Sequence, residues 1–275
     1  MFKFRLIGFI LLMALLGGIF FWDAGGVWLF LAAAPALVGA AVGECCAMMD
    51  RAGRPTMPMP AAVAIWLIAL GCSCGMIRHE ALWATAMLTA LLLICGGATL
   101  LRMDADRFTG IVNSLGVSFL FTPPLIALLL TYFLPERGSW LLYLCLVTKA
   151  TDTGGYIVGT LTAKLPGGNH KIAPTVSPKK SYEGLIGGVI LSTAVSWTFF
   201  RLAPAASPAW YLLAGLVLSF GSFFGDLTES AVKRFCGTKD SGSFVPGMGG
   251  AFDVLDSFLY NGLIFWPLYL IKDIL

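Results

Sequence analysis

The chain has 275 residues, of which 58% are hydrophobic and 12% charged, with a formal net charge of +3 and a mean hydropathy of +0.84. That composition excludes an ordinary water-soluble domain, and the small net charge excludes the basic surface of a nucleic-acid binder. Apolar runs of about 17 to 25 residues recur from end to end, the length that crosses a bilayer, so the expected fold class is an all-α polytopic integral membrane protein.

The opening run, MFKFRLIGFILLMALLGGIFF, has the basic lead and apolar centre of a secretory leader but no small-x-small cleavage site, and it is expected to remain as the first span. Nine spans are expected, at residues 6–22, 27–43, 61–77, 81–101, 109–133, 139–160, 183–203, 209–234 and 254–271. Within the fifth, Thr122, Pro123 and Pro124 are expected to break the helix into two short pieces, because proline removes backbone donors. With nine spans, 13 of the 18 Lys and Arg residues fall on the amino-terminal side and 4 on the other, with Lys149 inside a span. The excess of positive charge is retained on the cytoplasmic face, so the amino terminus and the long polar loops are expected there. The seven cysteines form neither a CxxC pair nor a Cys/His cluster, so neither structural zinc nor disulfides are expected.

Two cytoplasmic loops are long for a chain whose other connections are short: TAKLPGGNHKIAPTVSPKKSYEG at 162–184 and CGTKDSGSFVPGMGG at 236–250. Before the second loop, Asp226, Ser230 and Lys233 are spaced to share one helix face, and Glu229 stands four residues from Lys233, within reach of an ion pair. After it, Asp253 and Asp256 are three apart at the mouth of an apolar run. Carboxylates at such a place need a partner that offsets their desolvation, and carboxylate oxygens suit Mg²⁺. Gly247, Gly249 and Gly250 let the backbone approach an anion closely, and Lys233, Arg234 and Lys239 add positive charge beside them. Together these residues describe a cradle for a metal-bound polyphosphate.

Each element also has a plainer reading. Lys149 and Asp152 form an i, i+3 pair inside an apolar span, either a structural salt bridge or part of the site. Ser181 stands where a helix N-cap is expected. Lys179 and Lys180 could meet a substrate phosphate or an anionic lipid headgroup. His79 and His170 have no ligand spacing and read as surface residues.

The run from Ser230 to Asp256, SAVKRFCGTKDSGSFVPGMGGAFDVLD, resembles the signature of the phosphatidate cytidylyltransferases, also called CDP-diacylglycerol synthases. That pattern is S-x-x-K-R, four residues, K-D, a spacer with Gly, P-G-H-G-G, then D-R-x-D. Ser230, Lys233, Arg234, Lys239, Asp240, Gly242, Pro246, Gly247, Gly249, Gly250, Asp253 and Asp256 fall on it, and DTGGYIVG, SPKKSYEGLIGG and GDLTES upstream are also similar. Met248 stands where the commonest pattern has His, and Val254 where it has Arg.

The resemblance implies transfer of a cytidylyl group from CTP to phosphatidate, giving CDP-diacylglycerol and diphosphate. It implies residues 1–138 as a transmembrane scaffold and 139–275 as the catalytic region, with the signature at 226–257. It also implies a divalent ion, Mg²⁺, held by Asp226 and Asp253, with Asp256 a further candidate and a monovalent cation such as K⁺ alongside. Lys233, Arg234, Lys239 and Asp240 are the expected catalytic residues. Ser230, Lys179, Lys180, Gly247, Gly249, Gly250 and Asp152 are the expected substrate contacts. A homodimer in a bacterial-type inner membrane, with a cavity facing the cytoplasm, completes the expectation. The attacking phosphate monoester, with a second pKa of about 6, is largely deprotonated near neutral pH, so no strong base is needed and Met248 removes nothing essential. Two other readings stand beside this one: the same chemistry on a different lipid phosphate, and a transporter with midplane carboxylates.

Overall fold

A computed structural model describes residues 2–22, 25–57, 104–135, 138–242, 244 and 249–274. The expected spans at 61–77 and 81–101 lie outside the described residues. The elements in chain order are α1 (Phe2–Phe21), α2 (Gly26–Arg51), α3 (Ala105–Tyr132), α4 (Ser139–Thr162), β1 (Lys171–Ala173), β2 (Ser177–Ser181), α5 (Tyr182–Leu202), α6 (Pro208–Phe235), α7 (Ala251–Leu255) and α8 (Phe258–Leu270). The fold is mostly helical, and α2, α3, α5 and α6 are long and apolar enough to cross a membrane. The chain forms two compact units, one of Met1–Leu129 with Phe235–Leu255 and one of Leu130–Arg234 with Asp256–Leu275.

In the first unit, α2 runs eight residues past the end expected from hydropathy. Glu44 interrupts the apolar run, yet the helix continues because Cys45, Cys46 and Met48 are buried on the next turn. It ends where Gly53 takes a φ of 73° and donates to the Asp50 carbonyl at 3.0 Å, a left-handed close that glycine adopts without strain. The expected break at Pro123 and Pro124 does not occur: both lie inside a continuous α3. Phe121, Leu125 and Leu129 form a buried seam at i, i+4 and i+8 across the prolines, and this packing outweighs the lost backbone donors.

The second unit departs from expectation in two places. The loop at 162–184 contains a two-stranded antiparallel sheet, so the fold is not purely helical; Lys171 pairs with Ser181 and Ala173 with Ser177, across an irregularity. Pro178 is tolerated because a two-stranded ribbon is all edge. The expected last span is also interrupted between α7 and α8. There the Asp256 carboxylate accepts from the Ser257 backbone N–H at 2.6 Å and its carbonyl accepts from Leu259 at 3.2 Å, local bonds that replace the helical ladder.

Glycines set the helix contacts of this unit. A Cβ built on Gly154 of α4 would lie 2.9 Å from the Gly187 carbonyl carbon of α5, and one on Gly188 would lie 3.0 Å from the Thr151 carbonyl oxygen. On α6, a Cβ at Gly225 would strike the Asp256 carbonyl, and one at Gly221 the Asn261 amide. Asn261 is fully buried and donates to Thr148 Oγ1 at 2.8 Å. Trp140, Tyr143, Trp210 and Phe265 pack edge-on or tilted at centroid distances of 5.5 to 6.2 Å.

Gly154→Val is therefore expected to destabilise the protein by about 1–3 kcal/mol, as overpacking does. Thermal unfolding in detergent followed by tryptophan fluorescence would show a lower midpoint, and an unchanged midpoint would contradict the close α4–α5 approach.

Candidate active site

The second unit gathers charge from three elements and from the turn that precedes α8. Gly225 admits the Asp256 main chain against α6, beside Asp226, while α4 supplies Lys149 and Asp152 one turn apart and β2 supplies Lys180. Lys149 Nζ lies 3.0 Å from Asp152 Oδ2, and Lys180 pairs with Asp226. Ser222 of α6 donates to Asp152 Oδ1 at 2.9 Å. Lys180 also stands over the Phe223 ring at 5.3 Å, so its stem is held as well as its charge.

The acids meet on one hydroxyl. Ser257 Oγ lies 3.1 Å from Asp152 Oδ2, 3.0 Å from Asp226 Oδ1 and 2.9 Å from Asp256 Oδ1. A hydroxyl has one proton to donate, so at most one of these oxygens receives it. The others face its lone pairs, with the two lysines to offset the repulsion. Carboxylate and hydroxyl oxygens are the hard donor type that a divalent cation takes. As they stand, no three histidine, cysteine or acidic side chains among the described residues are arranged to hold a metal ion. The acids are turned instead toward Ser257 and the lysines, and Lys180 would have to release Asp226 for a cation to replace it.

A cavity of about 570 Å³ adjoins this cluster, lined by Asp152 and Asp226 at one side and by Lys164, Lys171, Lys179 and Lys180. Four lysines in one cavity favour a polyanion. Ser181 caps α5 as expected, accepting from Gly184 N at 3.1 Å, and Asn169 ties the loop down by donating to the Gly159 carbonyl at 2.9 Å. Lys179 is exposed at the cavity rim. Ser230 is half-buried on α6, Lys233 pairs with Glu229 as their spacing predicted, and Arg234 Nε donates to the Val176 carbonyl at 3.4 Å. His170 is a surface residue whose Nδ1 lies 2.7 Å from Glu183.

The first unit holds the rest of the signature. Gly249 has a φ of 112°, a conformation that favours glycine. The Gly250 N–H donates to Asp253 Oδ2 at 2.8 Å, so that amide is already engaged. Phe252 is fully buried and stacks edge-on to Phe121 at 5.0 Å. Lys239 and Asp240 are exposed, and burial lifts the Cys236 thiol above its ordinary pKa, keeping it protonated. Gly247, like Met248, lies outside the described residues.

Three participants escaped the sequence reading. Ser222 and Ser257 carry no pattern that separates them from other helical serines. Glu44 does: it is the only acidic residue within the apolar run of α2 before Asp50. Its Oε2 accepts from the Phe252 N–H at 3.1 Å and lies 3.4 Å from Ser241 Oγ.

Comparison with known proteins places these features in context. The profile described as the cytidylyltransferase family matches residues 3–271. The chain is 41% identical over 133 residues to the phosphatidate cytidylyltransferase of Staphylococcus haemolyticus (strain JCSC1435), covering 47% of this chain and 49% of the relative. It is 40% identical over 162 residues to the phosphatidate cytidylyltransferase of Staphylococcus aureus (strain COL), covering 58% and 56%. The chain spans about half the length of the curated relatives it matches. With the profile matched over nearly its whole length, the chain belongs to the cytidylyltransferase family.

Proposed function

We propose that this chain transfers the cytidylyl group of CTP to phosphatidate, releasing diphosphate, with Mg²⁺ as cofactor. The observation that carries the proposal is the juxtaposition of a four-lysine cavity with the Asp152, Asp226 and Asp256 cluster. The relatives, named phosphatidate cytidylyltransferases, supply the substrate pair.

The chemistry needs little covalent help from the protein. An oxygen of the lipid phosphate attacks the α-phosphorus of CTP, and the bond to the bridging oxygen of the β-phosphate breaks, so diphosphate leaves with the electron pair. The difficulty is repulsion between two anions. Lys164, Lys171, Lys179 and Lys180 lower it by lining the cavity with positive charge. Asp226 and Asp256 would hold Mg²⁺, with Asp152 close by, and the ion would neutralise charge on the phosphates. Asp253 is assigned to the same cofactor from the signature, with a monovalent cation alongside. Lys233, Arg234, Lys239 and Asp240 are assigned to catalysis, and Ser230, Gly247, Gly249 and Gly250 to substrate, on the same ground. In the full proposal nine spans cross a bacterial inner membrane, the cavity faces the cytoplasm, and two copies form a homodimer.

The deciding experiment incubates purified protein with labelled CTP, phosphatidate and Mg²⁺. A lipid-soluble nucleotide is expected, and none is expected with EDTA. Running other lipid phosphates in parallel tests the acceptor, and failure of all acceptors overturns the proposal. Asp226→Asn and Asp253→Asn are each expected to lower turnover by about a hundredfold or more while folded protein stays in the membrane. Wild-type turnover in either variant removes that residue from the site. Met248→His is expected to leave turnover near wild type, since nothing here asks that position to move a proton. A large rate change at equal protein level would contradict this.

A further inference from the structure

The first unit contains a carboxylate that the reaction does not call for. Glu44 sits in a run of alanine, valine, cysteine and glycine on α2, where an acid is costly unless it is engaged. Its engagement is specific. It accepts from the Phe252 N–H at 3.1 Å, lies 3.4 Å from the buried Ser241 hydroxyl, and lies against the main chain of the signature turn at two glycines. For a Cβ built on Gly242 the three nearest atoms all belong to Glu44. On Gly250 the two nearest groups would be the Ser241 hydroxyl and the Glu44 carboxylate. Two glycines of the signature thus admit this carboxylate, and it grips the turn at both ends, at Ser241 and at Phe252.

We infer that Glu44 is a positioning residue for the signature turn: by accepting from both ends it fixes the backbone that presents Asp253, whose carboxylate is itself held by the Gly250 N–H at 2.8 Å. The inference rests on the assignment of Asp253 to the cofactor. Glu44 acts through the turn, and its role is acceptance of hydrogen bonds rather than charge.

The test compares Glu44→Gln with Glu44→Ala in the full-length protein in detergent. Glutamine keeps an acceptor oxygen at the same reach, so it is expected to retain most of the turnover, while alanine loses about tenfold or more in kcat with a smaller change in the KM for CTP. Equal loss in both variants would overturn the acceptor role, and no loss in alanine would overturn the positioning role. Gly242→Ala supplies an independent arm. It is expected to impair the wild type and to add little in the Glu44→Ala background, because the atoms it strikes are then gone. Additive losses would contradict the contact, and if Glu44→Ala does not fold, Gly242→Ala combined with Glu44→Asp replaces that arm, with partial recovery expected. Hydrogen exchange at the Phe252 amide gives a readout that does not depend on the reaction. Faster exchange in Glu44→Ala but not in Glu44→Gln is expected, and unchanged exchange in alanine overturns the inference even if the protein proves to act on another substrate.

Discussion

The constraint on which this molecule depends is the cost of keeping carboxylates among apolar helices. In the second unit Asp152, Asp226 and Asp256 are acceptable because the hydroxyls of Ser222 and Ser257 and two lysines meet them. In the first, Glu44 is acceptable because a backbone amide and a serine meet it. Each set of partners is also an anchor: an acid that must be paired fixes whatever element carries its partner. In this chain the groups that are most expensive to bury therefore determine where the loops and the helix interruption sit.

The interruption at Asp256 and Ser257 shows how local and tertiary forces cooperate. The Asp256 carboxylate, accepting from both the main-chain N–H and the hydroxyl of Ser257, marks where one helix ends and another begins. Gly225 then lets the Asp256 carbonyl, which accepts from Leu259, approach α6. Glycine on one partner meets a self-bonding Asp-Ser pair on the other where Asp256 lies beside Asp226.

Much of this was legible beforehand. The helices at 139–160, 183–203 and 209–234 appear within two residues at each end, because long apolar runs bounded by glycine, proline and polar loops leave little choice. The pairing of Glu229 with Lys233 and the Ser181 cap follow from spacing alone. What the sequence hid depends on tertiary structure. The prolines of α3 predict a break, but a buried seam of Phe121, Leu125 and Leu129 overrides them. The hairpin at 171–181 is too short and too charged to show a strand period. Hydropathy ends α2 at Glu44 because an acid scores as a boundary, whereas here it is a contact. Ser257 could not be found at all, since its importance lies in three acids that arrive from elsewhere in the chain.

The cavity wall built from Gly155, Gly159, Gly184 and Gly188 has a consequence of its own. Where α4 and α5 touch main chain to main chain, that wall has no side chain with which to widen or narrow the cleft, unlike the lysine-lined part of the cavity. The position of this wall is a property of helix register. Moving it would require the two helices to slide, whereas the rest of the lining can change one side chain at a time.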